Sequence, residues 1–197
     1  MTMGIFSKGM FNKALQMPET RPALRRYFVN TIFDTTFVIL GVIIGSALSP
    51  HPSIDVVKTT IITSSVALAI STGVSVFEAE SLEQSRRLDE ISRAMLSSVD
   101  ETDLGKTSRA SIYLIALVNS CAPLLAGAVT LAPFLFLPSS DILAAAETSI
   151  TLALSILFVT GFFMGRMAAR NPWIKGLRMA VIGLIAFGIC YLIGAIV

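Results

Sequence analysis

Asp34 stands inside an apolar run that begins near Tyr27, about two helical turns in and so roughly 10 Å deep at 1.5 Å per residue. A carboxylate at such depth in a bilayer costs about 2.5–3.5 kcal/mol on insertion scales, so it should face protein or water rather than lipid. Two chemistries fit it: a cation ligand or proton carrier, or a structural carboxylate paired with Asn30 or a lysine near the interface. Asn30 precedes it by one turn and shares its face, and Thr35 and Thr36 add oxygen atoms nearby.

A second acidic group follows the next apolar run. Glu78 and Glu80 lie where that run ends, and Glu83, Asp89 and Glu90 continue along a helical stretch to about Leu96. Glu80 and Glu83, three residues apart, suit a hard or borderline divalent cation on one helix face. The competing reading is a solvated helix, because Glu83–Arg87, Arg86–Glu90 and Asp89–Arg93 are all i,i+4 pairs of opposite charge. From Glu78 to Arg109 there are eight acidic and five basic residues, a surface that either concentrates cations or is a plain solvated linker. Asn119 lies one turn before Pro123 in a third apolar run, placed to line a pathway or to hydrogen-bond between helices.

The elements that position these groups follow from hydropathy. The chain has 197 residues, 54% hydrophobic and only 14% charged, where a soluble domain carries about a quarter charged. A bilayer core of ~30 Å needs ~20 apolar residues of helix. Five segments meet that length: 27–48, 56–77, 110–137, 142–165 and 179–197. The expected fold is therefore an all-α integral membrane protein with five transmembrane helices. Pro123 and Pro133 should bend or break the third span. Turns are expected at Pro50-His51-Pro52, at Pro138-Ser139-Ser140-Asp141 and at Asn171-Pro172.

Of the 15 Lys and Arg, all but Lys58 fall on one side if every span crosses once. The positive-inside rule then sets the N-terminus inside and the C-terminus outside. Residues 1–26 form a basic cytoplasmic segment, either a short amphipathic helix on anionic membrane lipid or an unstructured tail. Residues 27–197 form the membrane domain, with a cytoplasmic acidic helix and loop at about 78–109.

Other chemistries are disfavoured. A formal net charge of +2 suggests no nucleic-acid partner. Cys121 and Cys190 sit in apolar runs without metal spacing, and His51 is the only histidine. No nucleotide loop, Ser/His/Asp set or thiol nucleophile is present, so an enzyme is not expected, nor a tightly bound cofactor. Gly41 and Gly45 make a small-xxx-small pair that lets helices approach closely.

Four segments together resemble the vacuolar iron transporter family, in its short five-span prokaryotic form. They are RRYFVNTIFDTTFVILGVIIG from Arg25 to Gly45, GVSVFEAESLEQSRRLDEISRAML from Gly73 to Leu96, the Pro-containing LVNSCAPLLAGAVTLAPFLFLP, and GFFMGRMAARNPWIKGLRMAVIGLIAFGICYLIGAIV from Gly161 onward. The resemblance implies a homodimer that exports a divalent cation, such as Fe2+ or Mn2+, from the cytoplasm in exchange for protons. It also implies residence in the cell membrane of a prokaryote. The path would run between first spans past Asp34, with Asn30 and Asn119 along it and with Glu78, Glu80 and Glu83 handing the cation over from the cytoplasmic side. Better-known members carry a Met and a Glu in the second span where this chain reads ISTGVSVF, from Ile70 to Phe77. The alternative is a non-transporting protein of the same fold, a dimeric scaffold or a lipid-binding protein.

Overall fold

A computed structural model describes residues 8–47, 49, 52–99, 102–137, 141–168 and 170–196. These form six helices in chain order: α1 (Lys8–Gln16), α2 (Thr20–Ala47), α3 (Ile54–Met95), α4 (Asp103–Phe136), α5 (Ile142–Met167) and α6 (Pro172–Ile196). Five of them, α2 to α6, are long and apolar enough to cross a membrane, and no strand occurs among the described residues. The chain is thus an all-helical, multi-pass integral membrane protein. The turns expected at Pro50-His51 and Pro138–Ser140 lie outside the described residues, as do Asp100 and Glu101.

Burial is arranged as lipid demands. Buried positions are rich in Ala, Ser and Thr, whereas large apolar side chains point outward. Ile62, Val66, Ile70 and Val74, each one turn from the next, are all exposed on α3. In water such a stripe would be an interaction patch. In a bilayer it is the lipid-facing surface, and small residues make the helix contacts.

Helix ends follow local chemistry. The Thr102 hydroxyl accepts from the Gly105 N–H at 3.4 Å and starts α4, and Asn171 Oδ1 accepts from the Trp173 N–H at 3.1 Å ahead of Pro172, the first residue of α6. Both are N-cap arrangements, with proline tolerated at the first helical position. The α3 terminus is less favourable: Leu96 adopts φ 51 while Ser97 N–H reaches back to Ser92 O at 3.2 Å. The left-handed conformation costs an L-residue about 1–2 kcal/mol.

Four helices extend well beyond the spans expected from hydropathy, and α2 begins at Thr20 rather than Tyr27. The second span and the acidic helix are one unbroken element, α3. The loop after it is shorter than expected, because α4 begins at Asp103 rather than near Ala110, and α6 begins at Pro172 rather than Met179. Pro123 and Pro133 lie inside α4 without ending it.

The chain forms two compact units, the first Met1–Phe28 with Ile70–Cys121, the second Val29–Ala69 with Ala122–Val197. In the second, Ile39, Ile43 and Ala47 of α2 pack with Val57 and Ile61 of α3, Ala126 and Phe134 of α4, and Ala145 and Ala146 of α5. The Ser149 hydroxyl ties α5 to α4 by donating to Thr130 O at 2.6 Å. α5 and α6 interlock through glycines: a Cβ on Gly161 would lie 2.8 Å from Met179 Cγ, and one on Gly176 would lie 3.0 Å from the Phe158 carbonyl oxygen.

In the first unit α1 lies on protein. Ala14 is fully buried, Lys13 Nζ sits 3.1 Å from Asp103 Oδ2, and Arg21 Nε donates to Leu15 O at 3.0 Å. Glu19 pairs with Arg87, which draws that arginine away from the expected partner Glu83. Among the described residues, Arg86–Glu90 and Asp89–Arg93 likewise close no ion pair.

Candidate functional site

Asp34 is the fifteenth residue of the 28 in α2, near the middle of the helix. It is exposed, as are Asn30 one turn before, Val38 one turn after and Gly45 beyond. Residues spaced by three or four share a helix face, so these form one uncovered stripe in the second unit, with Asn30 and Asp34 as its polar part. Gly41 is half-buried on the same side, and a Cβ at Gly41 or Gly45 would meet nothing within 4 Å. A polar face inside a span is an arrangement that hydrocarbon penalises.

Thr35 and Thr36 do not join Asp34. Both are buried, the Thr36 hydroxyl donating to Ile32 O at 2.7 Å. The Thr35 hydroxyl has no hydrogen-bond partner among the described residues.

The glutamates belong to the first unit and divide by exposure. Glu78 and Glu83 are exposed, whereas Glu80 is only 5% exposed. The carboxylates of Glu80 and Glu83 therefore do not share one accessible face. Glu80 accepts a hydrogen bond from the Tyr27 hydroxyl of α2, and Arg26 also contacts that phenol, its guanidinium carbon 5.0 Å from the ring centroid. The resulting Arg26–Tyr27–Glu80 chain gives a buried carboxylate the partners it needs. Sequence reading missed Tyr27 and Arg26, because no periodicity links residues that meet only through packing of two helices.

Asn119 is 1% exposed, and its amide nitrogen donates to Thr72 O at 3.4 Å, joining α4 to α3. Nearby, a Cβ at Gly73 would collide with the Ser120 side chain, so the helices touch backbone to side chain there. Among the described residues, no three of His, Cys, Asp and Glu gather closely enough in one chain to hold a metal ion.

Comparison with known proteins fits this architecture. A family model described as the VIT family matches residues 79–195, more than half of the chain and all of α5. An uncharacterized protein of the archaeon Methanocaldococcus jannaschii is 23% identical over 171 residues, covering 85% of this chain and 87% of that protein.

Proposed function

The chain belongs to the VIT family, the vacuolar iron transporters, and from that premise we propose that it exports divalent metal cations from the cytoplasm as a homodimer. The carrying observation is the exposure of Asp34 in mid-helix beside Asn30 and an open Gly41/Gly45 face. One copy alone would present that carboxylate to lipid. A second copy related by a two-fold axis covers the stripe with itself, as an isologous interface does, and the glycines allow close approach. Two carboxylates and two amide oxygens then face each other, a donor set suited to a hard or borderline divalent cation.

In this reading Asp34 binds the cation, and protonation of the carboxylate removes the charge that holds it, so that export is coupled to proton entry. Ferrous iron is the family's namesake cargo and Mn2+ a chemical neighbour. Exposed Glu78 and Glu83 attract cations at the mouth of α3. Buried Glu80 and Asn119 hold helices together instead. The charged segments face the cytoplasm, in keeping with the partition of basic residues.

The test is flux of Fe2+ or Mn2+ in proteoliposomes, with a pH dye inside and with cysteines at Ser53 and Asn171 reporting sidedness. Asp34→Asn should abolish both cation flux and the linked pH change while the dimer persists. Wild-type flux in that variant would sink the proposal. Lack of any saturable metal binding by the unaltered protein would favour a non-transporting scaffold.

A further inference from the structure

Beyond the path past Asp34, the first unit contains a site of a different kind. Two cavities lie along the α3–α4 groove and share Phe77 and Tyr113 as a common wall. Their rings stand 5.3 Å apart. On one side of this wall is an apolar channel of about 540 Å³, lined by Ile70, Val74, Ala116 and Leu117 with Glu78 on its edge. Ile70, Val74 and Leu117 are all exposed, so the channel opens toward lipid. On the other side is a polar chamber of about 370 Å³ bearing Ser81, Gln84, Ser85, Asp89, Ser108 and Arg109.

Three side chains of the chamber, Gln84, Ser81 and Ser85, keep donors without a partner among the described residues. Gln84 is only 7% exposed, and its carbonyl accepts the Ser108 hydroxyl at 2.6 Å. The amide nitrogen of Gln84 has no partner among the described residues, yet it is not sealed off from the chamber. Ser65 and Ser120 spend their hydroxyls on their own helix, on Ile61 O and Ala116 O, and Ser108 spends its own on Gln84. Ser81 and Ser85, one turn apart on α3, make no such bond among the described residues and line the chamber instead. A buried amide and two hydroxyls left with spare donors, next to a guanidinium, call for an anionic oxygen ligand.

The carboxylates narrow the choice. Asp89 in the chamber and Glu78 at the channel edge repel a headgroup that carries only negative charge. They suit one that pairs a phosphate with an ammonium. The aromatic wall falls where α3 passes from apolar to charged sequence and where α4 leaves Arg109 for its apolar run, the level at which Tyr settles in membranes. From Ile70 to Gln84 the groove runs ~20 Å along the helix axis, long enough for a headgroup and the upper part of an acyl chain.

We infer that this groove binds one phospholipid with a zwitterionic, primary-ammonium headgroup. Its phosphate lies among Gln84, Ser81, Ser85 and Arg109, its ammonium meets Asp89, and an acyl chain lies along Val74 and Leu117.

Native mass spectrometry of the full-length protein with equal amounts of phosphatidylethanolamine and phosphatidylglycerol of matched chains tests this. The unaltered protein should retain phosphatidylethanolamine preferentially. Arg109→Gln, and Ser81→Ala with Ser85→Ala, should each weaken retention about tenfold, the loss of a charge-assisted or paired hydrogen bond. Asp89→Asn should erase the preference between the two lipids. Val74→Trp, at an exposed position that leaves the fold intact, should block the channel and lower retention of both. Equal retention of the two lipids by the unaltered protein, or retention unchanged in Val74→Trp, would overturn the site. So would soluble phosphoethanolamine competing as well as the whole lipid, since the channel would then contribute nothing.

Discussion

Gly165 of α5 faces Pro172 of α6 so closely that a Cβ on the glycine would lie 2.7 Å from the proline Cα. The obstacle is backbone, which cannot rotate aside. Gly165→Ala should therefore force the hairpin apart, with the cost of overpacking, about 1–3 kcal/mol. Thermal unfolding in detergent should show a clearly lowered midpoint, and an unchanged midpoint would mean that the helices are not this close.

The opposite expectation applies at Gly41 and Gly45, where an added Cβ meets nothing within 4 Å. Gly41→Ala and Gly45→Leu should leave the unfolding of the protomer unchanged while raising the dimer dissociation constant at least about tenfold, near 1.4 kcal/mol. Single-molecule photobleaching in vesicles over a dilution series measures this. Unaltered self-association would remove the stripe from the interface.

Glu80 and its neighbours should separate by assay. Tyr27→Phe leaves the buried Glu80 carboxylate short of a donor, costing about 1–3 kcal/mol; Glu80→Ala leaves only the half-buried Tyr27 hydroxyl short, and the double variant should cost less than the two together because they share one bond. Exposed Glu78→Gln and Glu83→Gln should change stability by no more than about 0.5 kcal/mol, so a fall in flux there would report on the cation rather than on the fold.

Leu96 ends α3 at φ 51 with its side chain 95% exposed. Glycine adopts that conformation without the Cβ penalty. Leu96→Gly should thus stabilise the chain by a net ~1 kcal/mol, read as a raised thermal midpoint. A lowered midpoint would show that the leucine makes contacts the structure does not contain.

The five spans were legible in the sequence because a bilayer imposes length and apolarity on every crossing. Hydropathy marks where a helix meets lipid, however, and not where it stops. It therefore divided α3 at Phe77, and it missed the first turns of α4 and α6, which Thr102 and Asn171 begin with polar caps. Asp34 was legible as a costly residue, but its exposure depends on which face of α2 the other helices cover. Expected charge pairs along α3 gave way to tertiary competition: Arg87 went to Glu19, from a segment whose position relative to α3 no local pattern encodes. The same limit hid the Tyr27–Glu80 bond and the donors left over in the α3–α4 groove.

α6 has only 11% of its apolar window buried, and the rest of its surface faces outward. Its contact with α5 includes Gly176 and Gly183, each within 3.0 Å of a Phe158 or Leu157 atom once a Cβ is added, whereas a Cβ on Gly188 or Gly194 would meet nothing within 4 Å. Natural drift should be uneven along this helix. Val181, Leu184, Ile185 and Leu192 are interchangeable with almost any greasy residue, since lipid accepts them all. At the two contacting glycines any larger side chain must displace Phe158 or Leu157, so in a library of apolar residues the lipid-facing positions of α6 would vary freely while these two, seven residues apart, resist enlargement.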